Sequence, residues 1–385
     1  MRGPAGVREA GPGALASWDD RTVRAPGGDV QQSLAWGEHR ARTGWRTHHL
    51  ELDDGSAVLA LGRPWPLVRG GRLYVPKGPV AGGASAAAVA DRLAVVAGWA
   101  RAAGYDTILA DAEIPAASGY GEALAARGFR RADEVGPSRH RVATPIPGGA
   151  DDHVLLALIA TTTRQLVVAA ERRGMRIIRH DAAPGSGLEA ATTWPSGPGM
   201  DVLHGASVAA FERFHRLLRA TGERRGFAIG PRPVALAWWR AALAAGHLVF
   251  LEARSADDTY LGAAIFYRNG ERLTYAHSAD VVERRRAEPG TARLLLWRAL
   301  QLAAREGRSE LDLGGVDVAG ARFEPGPGDA MYGLLEFKRS FGGRWVELTG
   351  AHERILRPAR ARAGTILARA QHRGLRLVRG GRPGR

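Results

Sequence analysis

Residues 72–76 read Arg72-Leu73-Tyr74-Val75-Pro76, and roughly 200 residues later residues 272–276 read Arg272-Leu273-Thr274-Tyr275-Ala276. Each stretch has a strand's alternation and follows another apolar strand pattern, Ala57–Leu61 in the first case and Leu261–Tyr267 in the second. A helical run comes next in both, Ala87–Ala103 and Thr291–Glu306, with apolar residues at three- and four-residue spacing. A glycine ends each run where a left-handed turn is needed, Gly104 and Gly307, and a short strand follows, Asp106–Ala110 and Ser309–Leu313. Trp99-Ala-Arg-Ala-Ala-Gly104 even echoes Leu302-Ala-Ala-Arg-Glu-Gly307. Strand, strand, helix, strand, repeated at a spacing far longer than a solenoid period, predicts an α/β chain (α+β, mixed sheets) built by domain duplication.

Working outward, a Pro/Gly stretch at Thr144-Pro145-Ile146-Pro147-Gly148-Gly149 reads as a linker before a polar helical segment from Asp151. Two domains are expected, residues 1–150 and 151–333, and a second Gly/Pro stretch, Phe323–Gly328, precedes Leu334–Phe341. Gly185–Gly199 and Ser255–Thr259 read as surface loops, and Val234–Ala253 as helix followed by strand. A length of 385 residues suits two domains of ordinary size. Hydrophobic residues at 45% and charged residues at 24% exclude a disordered or fibrous chain. The absence of cysteine removes disulfides, thiolate nucleophiles and Cys-based zinc sites, and fits a reducing compartment. With no signal-peptide pattern at the start and no long apolar run, a cytoplasmic protein is expected.

The formal net charge is +15, which favours an anionic partner: nucleic acid, nucleotide or membrane surface. From residue 357 onward there is no acidic residue, while Arg357, Arg360, Arg362, Arg369, Arg373, Arg376, Arg379, Arg382 and Arg385 supply +9 of that charge. Residues 359–385 read as a basic tail, either a solvated extension or a contact for tRNA phosphates or an anionic membrane face, with Ile366, Leu367, Leu375, Leu377 and Val378 interleaved. Only two lysines occur, Lys77 and Lys338. Either chance left them, or a compact ammonium is needed there that a planar guanidinium cannot replace.

Gly-x-Ser-x-Gly, His-Glu-x-x-His and Walker patterns are absent, and the adjacent pair His48-His49 lacks metal-ligand spacing, so neither a metal nor a cofactor is expected. Asp312 and Asp317 near a strand end read first as turn residues. Four segments carry more. Gln31-Gln32-Ser33-Leu34-Ala35-Trp36-Gly37-Glu38-His39-Arg40, Tyr74-Val75-Pro76-Lys77-Gly78-Pro79-Val80, Thr221-Gly222-Glu223-Arg224-Arg225-Gly226-Phe227 and Leu311-Asp312-Leu313-Gly314-Gly315-Val316 with Phe337-Lys338-Arg339-Ser340-Phe341-Gly342-Gly343 occur in this order. In them the chain resembles the FemABX aminoacyltransferases, which add bridge amino acids to peptidoglycan precursors.

That resemblance implies two tandem GNAT-like domains, with the chain returning after the second so that residues of about 334–358 complete the first. It implies an aminoacyl-tRNA donor and, as acceptor, a peptidoglycan precursor, either lipid II or a UDP-linked muropeptide. No coiled-coil arm is expected, because no long heptad run is present. No stable protein partner is expected, and the location implied is the cytoplasm, peripheral to the inner membrane face. Lys338 is the candidate cation for the developing oxyanion or the leaving ribose oxygen; the alternative is a strand lysine packed over Phe337 or Phe341. Asp111 is the candidate for orienting or deprotonating the acceptor amine, or else caps a turn. Arg40 and Arg224 match the family's phosphate-binding positions. Tyr275 either hydrogen-bonds the stem peptide or sits in the core, and Lys77 either shapes its turn or assists phosphate binding.

Two other classes compete. An acyl-CoA N-acyltransferase needs a run of backbone N–H groups to cradle pyrophosphate, and Arg286-Ala287-Glu288-Pro289-Gly290-Thr291-Ala292 interrupts such a run with a proline. A non-catalytic basic RNA- or membrane-binding module explains the charge but not the Phe337–Gly343 signature. Transfer onto a secondary-metabolite peptide uses the same residues as transfer onto peptidoglycan.

Overall fold

The computed structural model describes residues 6–136, 139–182, 200–204, 208–316 and 320–380. The expected loop at 185–199, Asp317, Arg382 and Arg385 lie outside the described residues. The chain divides into two compact units, Met1–Gly136 with Leu348–Arg385, and Pro137–Glu347.

In the first unit, strand β1 (Val7–Glu9) and the short helices α1 (Pro12–Ala16) and α2 (Trp18–Thr22) precede helix α3 (Leu34–Arg42). Then come β2 (Arg46–Leu52), β3 (Ala57–Pro64), β4 (Gly71–Val75), helix α4 (Ala86–Ala102), β5 (Thr107–Ala110), helix α5 (Tyr120–Ala126) and β6 (Arg130–Arg131). The second unit runs through β7 (His140–Pro145), helices α6 (Asp152–Leu158) and α7 (Thr161–Arg172), β8 (Arg176–Asp181), β9 (Met200–His204), and helices α8 (Val208–Arg225) and α9 (Arg232–Ala244). It continues with β10 (Leu248–Arg254), β11 (Tyr260–Asn269), β12 (Arg272–Asp280), helix α10 (Thr291–Arg305), β13 (Glu310–Asp312), helix α11 (Tyr332–Arg339) and β14 (Arg344–Glu347). Strand β15 (His352–Ile355) and helix α12 (Pro358–Gly380) return to the first unit.

The two mixed sheets have the orders β1-β2-β3-β4-β5-β15-β6 and β14-β7-β13-β12-β11-β10-β8-β9. The repeat is visible in the register. β3 and β4 pair antiparallel and β4 and β5 parallel, with Leu73 opposite Ile108; β11 and β12 pair antiparallel and β12 and β13 parallel, with Leu273 opposite Leu311. The crossover helices bury their apolar stripes on these sheets: Val89, Leu93, Val96 and Ala100 of α4, and Leu294, Trp297 and Leu300 of α10. Each of the valine and leucine side chains contributes about 1.5–3 kcal/mol on burial.

Three expectations need correction. Thr144–Gly149 is not simply a linker: Thr144 and Pro145 end β7, where Pro145 opposite Glu310 occupies a strand terminus that tolerates a missing N–H. The return to the first unit begins at Leu348 rather than Leu334, because α11 and β14 belong to the second.

The third correction concerns the basic tail, whose first part is a docked helix. The Asp106 carboxylate is fully buried, accepts bonds from Trp65 Nε1 (2.9 Å) and Gly71 N (3.2 Å), and lies 3.6 Å from Arg357 and 3.4 Å from Arg360. Further along α12, Ala361 is buried and Gly364 sits on the Trp65 indole, where an added Cβ would come within 2.3 Å of the ring. Deleting residues from Arg360 onward therefore removes one of Asp106's partners and uncovers Trp65. It is expected to lower the unit's melting temperature by about 5–10 °C, whereas a chain ended after Gln371 stays within about 2 °C of wild type. Equal melting of the two truncations would show that the helix contributes nothing. No helix among the described residues is long and apolar enough to cross a membrane.

Candidate functional site

In the first unit the parallel pairing of β4 with β5 puts Val75 beside Ala110, so the two chains leave the sheet edge together. Lys77 and Asp111 are delivered to one place. The Asp111 carboxylate accepts from Tyr74 Oη (3.0 Å) and Lys77 N (2.8 Å), and its other oxygen lies 3.3 Å from Lys77 Nζ. Lys77 Nζ also lies 3.2 Å from Glu113. Burial pulls the Lys77 pKa down, but Asp111, Glu113 and Tyr74 outweigh it and hold the ammonium well above its usual value. Burial, and the neighbouring Asp111, push the Tyr74 phenol up, so it remains a donor. Lys77 takes a positive φ of 51°, which its N–H bond to Asp111 helps to hold.

Arg40, in the last turn of α3, joins this group through aromatic rings. Its guanidinium lies 5.3 Å from the centre of Trp36 and 5.1 Å from that of Trp45, and Trp45 is 6.5 Å from Tyr74. Its Nε is buried without a hydrogen-bond partner, and burial lowers its pKa, with Tyr74 opposing and Arg63 adding to the shift. Arg40, Lys77 and Asp111 thus surround one tyrosine, which sequence reasoning quoted but did not single out.

Gln32 was also missed. Its buried amide donates to Leu59 O (3.1 Å) and Pro76 O (2.6 Å) and accepts from Leu59 N (2.8 Å). It fastens the Gln31–Arg40 segment to the Tyr74–Val80 turn, so two of the four informative segments meet at one side chain. No local pattern marks a glutamine for such a bond across 44 residues.

In the second unit Lys338 is helical, in the last turn of α11, and not a strand lysine. Phe337 and Phe341 pack edge to face at 5.8 Å, at helical spacing, while Lys338 points elsewhere. Its Nζ, in a residue 3% exposed, donates to Gly314 O (2.9 Å) and Gly315 O. The same turn is held from behind by His140, whose Nε2 accepts from Val316 N (3.0 Å) while its ring stacks on Trp345 at 3.9 Å. Burial pushes the His140 pKa down to about 4, which keeps the ring neutral and able to accept. Asp312 has the turn role first read for it, accepting from Gly314 N at 2.8 Å.

Tyr275 lies on β12 beside this turn. An added Cβ at Gly314 would come within 3.2 Å of Tyr275 O. The Tyr275 hydroxyl bonds Ser278 and its ring packs on Phe266 at 5.6 Å, the core alternative in part, and burial raises its pKa while Arg225 lowers it. Arg224 is not brought to this group: it is exposed, with no hydrogen bond or ion pair of its side chain among the described residues. Arg225 is the neighbour that acts on Tyr275.

The start of α10 bears on coenzyme binding. Gly290 has a φ of 101°, and an added Cβ there would come within 2.8 Å of Leu166 O in α7. Arg173 donates to Pro289 O at 2.5 Å and lies 3.8 Å from Glu288. This helix N-terminus is packed against α7 and an acidic side chain, a poor cradle for pyrophosphate.

Residues 196–339 match the family described as Acetyltransferase (GNAT) domain. No curated protein sequence matches the chain. Among solved structures, the crystal structure of FemX aligns with 93% of this chain and 99% of its own at a TM-score of 0.72 and 17% identity. A conserved protein of unknown function from Bacteroides thetaiotaomicron VPI-5482 aligns over 91% and 99% at a TM-score of 0.52 and 11% identity. L-PGS from Bacillus licheniformis aligns over 94% and 98% at 0.50 and 11%. With a match to the GNAT domain family inside the second unit and the strand–strand–helix–strand repeat in both, the chain has the tandem GNAT-like fold seen in FemX.

Proposed function

We propose that this acyltransferase moves an amino acid from aminoacyl-tRNA to an amine of a peptidoglycan precursor's stem peptide. The observation that carries the reading is the group around Tyr74. A buried carboxylate stands ready for an amine, and two aromatic rings away, through Tyr74 and Trp45, an arginine with no acidic partner among the described residues suits a phosphate of the acceptor. In the reaction the acceptor nitrogen attacks the ester carbonyl carbon, and the tetrahedral intermediate collapses by expelling the ribose oxygen. The proton lost from nitrogen ends on that oxygen.

Asp111 accepts two hydrogen bonds and pairs with the Lys77 ammonium, and a carboxylate accepts about four hydrogen bonds. That leaves room to orient the amine, and Lys77 holds the charge in place. Lys338 supplies positive charge beside the Gly314–Val316 turn, where it favours the oxyanion over the neutral ester. Arg40 holds the acceptor's phosphate, and Tyr275 contacts the stem peptide. Arg224, an exposed charge, is proposed only as a second contact for the acceptor's phosphate.

The acyl-CoA reading is weakened by the packing of Gly290 against α7. Incubation of the purified chain with mixed aminoacyl-tRNAs and lipid-linked, nucleotide-linked or free stem peptides, read by mass spectrometry, is expected to show a tRNA-dependent amide product. Acetyl-CoA should have no effect. Micromolar CoA binding by calorimetry, with acyl transfer that ignores tRNA, would overturn the proposal.

A further inference from the structure

The first unit holds a cavity of about 140 Å³ beneath α12, lined by Arg63 of β3, Arg72 of β4, Trp65, Ala368 and Gln371 among others. Arg63 and Arg72 face each other directly in the antiparallel register. Like charges in that arrangement repel and destabilise a sheet. Several other arginines of this unit show a common remedy: Arg8 pairs with Glu51, Arg92 with Asp54, Arg127 with Asp91 and Arg130 with Glu353. Arg63 and Arg72 have no ion pair or side-chain hydrogen bond among the described residues. What they share is the face of Trp45, with guanidinium carbons 5.4 and 5.9 Å from the ring centre. The Arg72 pKa is lowered by burial and by Arg63, so the pair is electrostatically unrelieved.

The shape around the pair is built. Trp65 is fixed by its bond to the buried Asp106 carboxylate, and Gly364 lets α12 come down onto the indole. Ala368 and Gln371, one and two turns further along α12, then roof the space over the two arginines. Two forked guanidinium groups with no acid, beside aromatic walls and one uncharged amide, suit an oxyanion with several acceptor oxygens. An isolated carboxylate would leave half the donors unmatched, whereas a phosphate presents enough oxygens for both forks.

We propose that this cavity between Arg63, Arg72 and α12 binds a phosphate mono- or diester group. The two cavity arginines lie outside the segments on which the transferase reading rests, and Arg40 does not line the space. Occupancy relieves the repulsion between the strands and clamps α12 to them, so a phosphate ligand and the docking of this helix stabilise each other.

The test reads binding and melting on the full chain, not transfer, so its failure is separate from failure of the transferase proposal. Calorimetric titration with inorganic phosphate, pyrophosphate and glycerol phosphate at low ionic strength is expected to show saturable binding and a raised melting temperature. Acetate should give neither. Arg63→Gln and Arg72→Gln should each weaken pyrophosphate binding by about ten-fold or more. In phosphate-free buffer both variants should melt at or above the wild-type temperature, because the repulsion is gone. Arg131→Gln, an exposed arginine on β6, should change nothing. Vesicles containing phosphatidylglycerol distinguish the sources: retention that falls in the two cavity variants identifies a lipid headgroup, and binding of soluble phosphates alone identifies a free ligand. Non-saturable heats with wild-type protein, or unchanged affinity in both cavity variants, would overturn the site.

Discussion

Lys338→Ala is expected to lower turnover about 10²–10³-fold with little change in apparent substrate affinity, the signature of a charge that acts in the transition state. The structure adds a second load on the same side chain, because the ammonium holds the carbonyls of Gly314 and Gly315. Loss of those bonds should also lower the melting temperature. The informative variant is therefore Lys338→Arg. A guanidinium can reach a carbonyl and preserve much of the stability, but it is larger and aims its donors in a fixed plane, so it should rescue little turnover. Melting close to wild type together with turnover close to Lys338→Ala would support the charge-stabilising role. Wild-type turnover in Lys338→Arg would reduce Lys338 to a clamp for the turn.

Asp111 gives the other large effect, and here charge and shape can be separated. Asp111→Ala removes the acceptor of Tyr74 and of Lys77 N, and leaves a largely buried ammonium with only Glu113. Breaking a buried pair usually costs about 3–5 kcal/mol; the remaining Glu113 should limit the loss here to about 2–4 kcal/mol. Asp111→Asn keeps an oxygen for Tyr74 and the Lys77 N–H while discarding the negative charge. It should lose part of the same stability, because its NH2 then faces the Lys77 ammonium, yet keep the turn better than Asp111→Ala while losing turnover by about 10²-fold if the carboxylate orients or deprotonates the amine. Near-normal turnover in Asp111→Asn, whatever its melting temperature, would leave Asp111 as a turn-shaping residue.

Much of the architecture was legible because the duplicated segment states itself twice. The strand patterns ahead of Gly104 and Gly307 and the helices between them reappear in the structure at nearly the same bounds. What was obscured has identifiable causes. Thr144–Pro145 looked like a linker since proline is rare inside sheets, and only the partner strand shows that its N–H is not needed there. Residues 358–371 looked like a tail because the face that docks is Ala361, Gly364 and Ala368, small residues that make no apolar stripe. The site was half legible. Lys77 and Asp111 meet as neighbours on parallel strands, an outcome of topology that motif order alone suggests. Tyr74, Gln32 and His140 act through partners 27 to 176 residues away, distances at which a single chain carries no signal.

The late return of β15 to the first sheet has a consequence for the order in which the protein takes shape on the ribosome. Pro137–Glu347 is one continuous stretch and can close its sheet as soon as it has emerged. The sheet that carries Asp111 cannot, because the edge of β5 stays bare until His352–Ile355 arrives to pair with it. For the time taken to synthesise the whole intervening unit, that nascent sheet presents unpaired N–H and C=O groups, the kind of edge on which neighbouring chains join. Translation speed and chaperone supply should therefore govern the yield of this protein through its first half, even though the strand that finishes that half is made only after the second unit.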